Sequence, residues 1–114
     1  MRYSRLLLAL LIAPFAACDD EDTNAPPASD VTTSGSTFTP PALVLAANDS
    51  TASWYITNGP HNVTWEDATP PSSNITTGTY QRTFVGANNT TYRYRCTIHS
   101  TDFTTGMVGS VFVP

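Results

Sequence analysis

Residues 90–113, TTYRYRCTIHSTDFTTGMVGSVFV, decide the fold of this chain. The segment contains two runs in which apolar and polar residues alternate, first at Tyr92 and Tyr94 and then at Val111 and Val113. Alternation with a period of two residues is typical of a β-strand that buries one face. We interpret the segment as two strands joined by a longer loop, which carries a cysteine, a histidine and a methionine.

The same β pattern extends over the rest of the chain from Val31 to Pro114. Thr, Val, Tyr, Phe and Trp are frequent there, turn residues punctuate the runs, and no window shows a sustained 3.6-residue period. The candidate strands are Val31–Phe38, Ala42–Ala46, Thr51–Thr57, Asn62–Glu66, Thr79–Val85, Thr90–Cys96 and Met107–Val113. About seven short strands separated by turns predict an all-β, two-sheet sandwich.

The N-terminus has the pattern of an export signal. Two arginines precede an apolar run over residues 6–15. That run is shorter than the roughly 20 residues a membrane-spanning helix needs. The order Phe-Ala-Ala-Cys at residues 15–18 resembles a bacterial lipoprotein box, so we expect a signal peptide at 1–17 and a lipidated Cys18. The alternative is ordinary cleavage nearby, which leaves Cys18 as a free thiol or removes it.

Residues 18–36 are predicted to be a flexible tether, because an acidic block and prolines occur there without a hydrophobic period. The folded domain is expected at 37–114. From Val31 onward the chain has four acidic residues and three arginines, and it has no lysine anywhere. Nucleic-acid binding depends on clustered Lys and Arg, so we exclude nucleic acid as a partner. We expect an exported monomer on the periplasmic side of the cell envelope, with membrane contact through the lipid anchor only.

Few residues of this chain can bind a metal. The histidines are His61 and His99, Cys96 is the one cysteine outside the signal junction, and Met107 is the one methionine besides the initiator. Two imidazoles, a thiolate and a weak thioether form the ligand set of blue copper. Soft sulfur donors suit Cu(I), whereas imidazole serves both oxidation states. Zinc accepts histidine and cysteine, but a thioether is a poor fourth ligand for it.

Each candidate ligand also has a plainer interpretation. The alternative for Cys96 is a disulfide with Cys18. The alternative for Met107 is packing at the start of a strand, and both histidines are ordinary surface residues if taken singly. No serine is placed by a hydrolase motif, and we do not expect an enzyme.

At these residues the chain resembles the cupredoxins, most closely the plastocyanin-like bacterial ones. The resemblance rests on Pro60-His61-Asn62-Val63, Tyr92-x-Tyr94-x-Cys96-x-x-His99 and Gly106-Met107-Val108-Gly109. It implies a Greek-key β-sandwich with one type 1 copper ion. The implied copper ligands are His61, Cys96, His99 and Met107. It also implies that Asn62 helps to hold the cysteine sulfur by hydrogen bonding.

Two features depart from the plastocyanin-like pattern. Residues 100–106 make the connection between His99 and Met107 longer than is usual there. We expect this loop to bulge outward, with Phe103 near the copper end, where it joins Pro60 in an apolar docking patch around the edge of His99. The alternative is that Phe103 folds back into the core. We expect Met107 to remain a weak axial ligand. Arg95 replaces the tyrosine that precedes the cysteine in plant plastocyanins, so that partner surface is not carried over.

Three functions remain open from the sequence. The resemblance implies shuttling of single electrons between redox partner proteins. A second hypothesis is copper binding without a redox role, as in copper delivery or storage. A third is a metal-free interaction module, which is the ordinary function of a small secreted β-sandwich.

Overall fold

The computed structural model describes residues 29–86 and 89–114. Within these ranges the chain forms eight β-strands and no helix. Their bounds are β1 (Val31–Ser34), β2 (Thr37–Thr39), β3 (Ala42–Val44), β4 (Thr51–Ile56), β5 (Thr64–Trp65), β6 (Gly78–Thr83), β7 (Thr90–Arg95) and β8 (Val108–Val113). The described part accordingly contains no helix that is long and apolar enough to cross a membrane. The predicted signal peptide at 1–17 and Cys18 lie outside the described residues.

The strands form two four-stranded sheets, in the orders β2-β1-β4-β6 and β3-β8-β7-β5. Most neighbouring strands are antiparallel, but β1 pairs with β4 and β3 pairs with β8 in parallel. The chain passes from one sheet to the other at every connection from β2 to β7. The predicted all-β, two-sheet sandwich is therefore confirmed.

The N-terminal boundary of the domain needs correction. Strand β1 falls within residues 18–36, which the composition predicted to be tether. Val31 is fully buried, and the Thr33 hydroxyl accepts a hydrogen bond from the backbone N–H of Thr57 at 2.8 Å. The ordered domain therefore begins at or before Val31 and not at residue 37. The predicted single strand over residues 31–38 is in fact a hairpin of β1 and β2, which brings the strand number to eight.

An aromatic cluster fills the space between the sheets. Trp54 of β4 meets Trp65 of β5 and Tyr94 of β7 edge to face, with ring centroids 5.5 and 5.4 Å apart. All three side chains are buried. Tyr94 also lies across Gly109 of β8, where an added Cβ would collide with the phenol ring. Because Tyr94 is two residues before Cys96, this packing fixes the end of β7 from which the candidate site is built.

Candidate metal centre

The structure brings three of the four candidate ligands together, namely His61, Cys96 and His99. The Cys96 Sγ atom lies 3.9 Å from His61 Nδ1 and 3.6 Å from His99 Nδ1. One ligand atom from each of the three residues lies within 4.8 Å of the other two. Cys96 and His61 are buried, whereas His99 is exposed. The described part of the chain thus contains the predicted His-Cys-His cluster at one end of the sandwich.

Cys96 and His99 are presented by one tight turn at the end of β7. The backbone N–H of His99 donates to the carbonyl of Cys96 at 3.2 Å. The N–H of Cys96 donates to the carbonyl of Met107 at 2.9 Å, which continues the pairing of β7 with β8 by one residue. The Cys96 side chain is fully buried. The sulfur position is therefore set by the sheet, and His99 follows from the turn.

His61 reaches the site from the loop between β4 and β5. Its backbone N–H donates to the carbonyl of Ile75 at 3.0 Å, and the N–H of Ile75 donates back at 2.8 Å. An added Cβ at Gly59 would collide with the same Ile75 carbonyl, so the two segments can approach closely only with glycine there. This pairing holds the imidazole in a buried position.

Asn62 contacts the cysteine sulfur, as the resemblance implied, but through its backbone. Its N–H lies 3.5 Å from Cys96 Sγ. Its side chain instead bonds Asn74, Thr64 and Thr97, and all its polar atoms find partners. No sequence pattern predicted that Thr97 and Asn74 bind the Asn62 side chain, because these contacts depend on how distant loops meet.

The backbone of Met107 is hydrogen-bonded to the backbones of Cys96 and His99. Its N–H donates to the carbonyl of His99 at 3.4 Å, and its side chain is 1% exposed. The backbone bonds of Met107 therefore join both loop ligands to β8. Its role as an axial ligand remains a prediction.

The long loop between His99 and Met107 is organised around Asp102. The Asp102 carboxylate accepts hydrogen bonds from the backbone N–H groups of Thr104 at 2.8 Å and Thr105 at 2.7 Å, and from both hydroxyls. These bonds, the backbone ones first, lower the pKa of Asp102 to about 2. At the end of the loop Gly106 has φ +80°, and a Cβ there would lie 2.5 Å from the His99 carbonyl.

Phe103 lies against Arg95, whose guanidinium carbon is 5.2 Å from the ring centroid. The groove around the exposed His99 edge is lined by Ile98, Pro60, Ser36, Asn58 and two glycines. Ile98 is 44% exposed and supplies apolar surface there. A docking patch formed by Phe103 and Pro60 stays a prediction.

The surroundings of His61 favour its neutral form. Burial first, and then repulsion from His99, lower the pKa of His61, while the carbonyls of Gly35 and Asn58 partly oppose this shift. Neutral imidazole is the form that binds metals, so the site is suited to a cation at neutral pH. Its Nε2 atom is buried and has no hydrogen-bond partner among the described residues.

The donor set fits copper. A buried thiol between two imidazole nitrogens matches the soft and intermediate ligands that copper prefers. His61 and His99 would hold the ion through Nδ1 and Cys96 through Sγ.

Comparison with solved structures gives the same fold. The chain is similar to an oxidised mutant of amicyanin, with 27% sequence identity, a TM-score of 0.56, and coverage of 90% of this chain and 92% of that chain. It is also similar to a purple cupredoxin from Nitrosopumilus maritimus, with 20% identity, a TM-score of 0.54, and coverage of 76% of this chain and 100% of that chain. A scan against protein-family models and a search of curated proteins gave no match. With its two-sheet architecture, the chain has the cupredoxin fold, and its His61–Cys96–His99 cluster is consistent with a cupredoxin copper site.

Proposed function

We propose that this protein is an electron carrier with a single type 1 copper ion bound by His61, Cys96 and His99. The observation that carries the proposal is the buried thiol of Cys96 with two imidazole nitrogens at 3.6 and 3.9 Å. Bound copper would supply a Cu(I)/Cu(II) couple, which exchanges one electron at a time. We propose no chemical conversion of a substrate.

The rigidity of the site supports electron transfer. The backbone of His61 is paired with Ile75, and the backbone of Cys96 is paired with Met107. Asn62 links the two ligand loops to each other. A donor set held in this way changes little when the charge of the ion changes, and small rearrangement favours rapid exchange of electrons.

The uneven burial of the donors supports electron transfer over copper delivery or storage. His61 and Cys96 are 2% and 0% exposed, and only His99 reaches the surface. A chaperone must let a second protein replace its ligands one by one, which buried donors hinder. An electron needs only the exposed edge of His99. We propose that redox partner proteins dock at this end, around Pro60 and Ile98.

The experiment is a visible spectrum and a voltammogram of the copper-loaded protein. We expect an intense thiolate-to-Cu(II) absorption band and a reversible one-electron couple. Cys96→Ser removes the thiolate and should abolish the band. Protein that binds Cu(II) without colour would contradict the type 1 assignment. A blue protein without a reversible couple would favour copper delivery or storage.

We also propose that the protein acts as a monomeric lipoprotein on the periplasmic side of the cell envelope. The support is the sequence pattern of residues 1–18, in which a signal-like run ends at Phe-Ala-Ala-Cys. A lipid on Cys18 would place the copper domain close to membrane-bound redox partners.

A further inference from the structure

Arg95 lies directly before Cys96 and is held against the loop that follows His99. Its Nη1 atom donates to the carbonyl of Ser100 at 2.6 Å. Phe103 covers the guanidinium, with 5.2 Å between the guanidinium carbon and the ring centroid. The residue is half-buried, and its Nε atom is buried without a hydrogen-bond partner among the described residues. The positive charge is therefore held against the segment that directly follows His99.

The other two arginines of the described domain have carboxylate partners. Arg82 pairs with Asp67 at 2.6 Å, and Arg93 forms a two-point ion pair with Glu66. Within residues 29–86 and 89–114, no carboxylate lies at ion-pair distance from Arg95.

Asp102 is the acidic residue in the loop that contains Ser100 and Phe103, the two residues that Arg95 contacts. Its carboxylate oxygens bind the N–H and hydroxyl groups of Thr104 and Thr105 and do not pair with Arg95. The Arg95 contacts that are present are a neutral carbonyl and an aromatic face, and neither cancels a full charge.

We propose that Arg95 is a positioning residue whose uncompensated charge raises the reduction potential of the copper site. This inference rests on the proposed electron-transfer function. Cu(II) carries one more positive charge than Cu(I), so a fixed cation nearby disfavours the oxidised state. Because Arg95 is half-buried, water and salt screen this interaction less than they would screen one between fully exposed charges. The bond to Ser100 and the cover of Phe103 keep the guanidinium in place.

The test compares Arg95→Met, Arg95→Lys and Arg93→Met by redox titration of the copper-loaded proteins. Arg95→Met should lower the equilibrium Cu(I):Cu(II) ratio at a fixed potential by about threefold to tenfold, where tenfold corresponds to about 59 mV for one electron. Arg95→Lys keeps the charge and should retain most of the wild-type ratio. Arg93→Met removes the same formal charge from a residue that is paired with Glu66 and lies three positions before Cys96, and it should have a much smaller effect.

Hydrogen exchange of the metal-free proteins supplies a second readout. Arg95→Met should speed exchange at the amides of Thr104 and Thr105, because the loop loses its bond through Ser100. An unchanged ratio in Arg95→Met, or a loss in Arg95→Lys as large as in Arg95→Met, would overturn the charge assignment. A wild-type protein without a reversible couple would instead contradict the proposed function, and the exchange measurement would still report whether Arg95 holds the loop.

Discussion

Asn62 binds Thr97 through two hydrogen bonds: its Oδ1 accepts from the backbone N–H of Thr97 at 3.0 Å, and its Nδ2 donates to the Thr97 hydroxyl at 2.8 Å. Asn62 directly follows His61, and Thr97 directly follows Cys96. The Asn62 side chain therefore sets the distance between the loop that carries His61 and the loop that carries Cys96.

Asn62→Ala should weaken the copper site and destabilise the domain. The substitution removes both hydrogen bonds to Thr97, each worth about 1 kcal/mol, so the unfolding free energy should fall by about 2 kcal/mol. Urea denaturation of the metal-free protein measures this loss, and the intensity of the visible band reports the effect on copper. Asn74→Ala is the matched control, since it removes only the bond from Asn62 Nδ2 to Asn74 Oδ1. Equal effects of the two variants would contradict the assigned role of Asn62.

Met107→Leu should keep the blue colour and raise the reduction potential. The thiolate and both imidazoles remain, whereas loss of a weak electron-donating thioether disfavours Cu(II). Because leucine has a similar volume, the buried position should lose less than about 1.5 kcal/mol of stability. Voltammetry and the electronic spectrum are the measurements. If neither changes, Met107 is a packing residue and not an axial ligand.

The domain should lose stability in alkaline solution through Tyr94. Burial raises the pKa of Tyr94 to about 12, compared with 10.0 for an ordinary tyrosine. Above pH 10 the unfolded chain releases this proton while the folded chain retains it, so the unfolding free energy falls with rising pH. The loss between pH 10 and 12 should be on the order of 2 kcal/mol.

Denaturation at several pH values, with tyrosinate absorbance as a second signal, checks the Tyr94 prediction. Tyr94→Phe should remove this part of the alkaline loss. Tyr55→Phe leaves Tyr94 in place and should retain it. A Tyr94→Phe variant with the same pH dependence as the wild type would show that another group causes the loss.

Cys18→Ala should prevent membrane anchoring. A lipoprotein-type modification attaches several acyl chains to one cysteine, and multiple chains anchor stably where a single chain binds only marginally. We expect the wild-type protein in the membrane fraction and the variant released or misprocessed. Mass spectrometry of the mature N-terminus gives the direct answer. An unmodified terminus located beyond Cys18 would refute the lipid anchor.

The sequence was most informative where the relevant contacts are local. Cys96 and His99 lie on one turn, so a short motif was enough to place them together. The β-sandwich was equally accessible, because residues such as Trp54 and Tyr94 alternate with polar neighbours and are buried in the structure. His61 was found through the residues that flank it.

The features that could not be predicted from the sequence depend on contacts between distant segments. A strand starting at Val31 was predicted, but its pairing with β4, which makes it part of the sandwich, joins distant segments and is indicated by no local pattern. The contact of Phe103 with Arg95 depends on the conformation of a loop whose hydrogen bonds come from Asp102. The sequence therefore did not identify Arg95 as the residue that contacts Phe103.

The His99–Met107 connection is closed at its base by a bond between these two residues and filled by its own side chains, Ser100 and Asp102. Apart from the contacts of Arg95 with Ser100 and Phe103, the side-chain hydrogen bonds of this connection lie within it. Adding or removing residues there costs little closure entropy, about 0.6 kcal/mol for each doubling of length. A loop of different length or sequence at this position changes the surface beside the exposed imidazole of His99, and therefore the partner that can dock there. The buried donors His61 and Cys96 keep their positions.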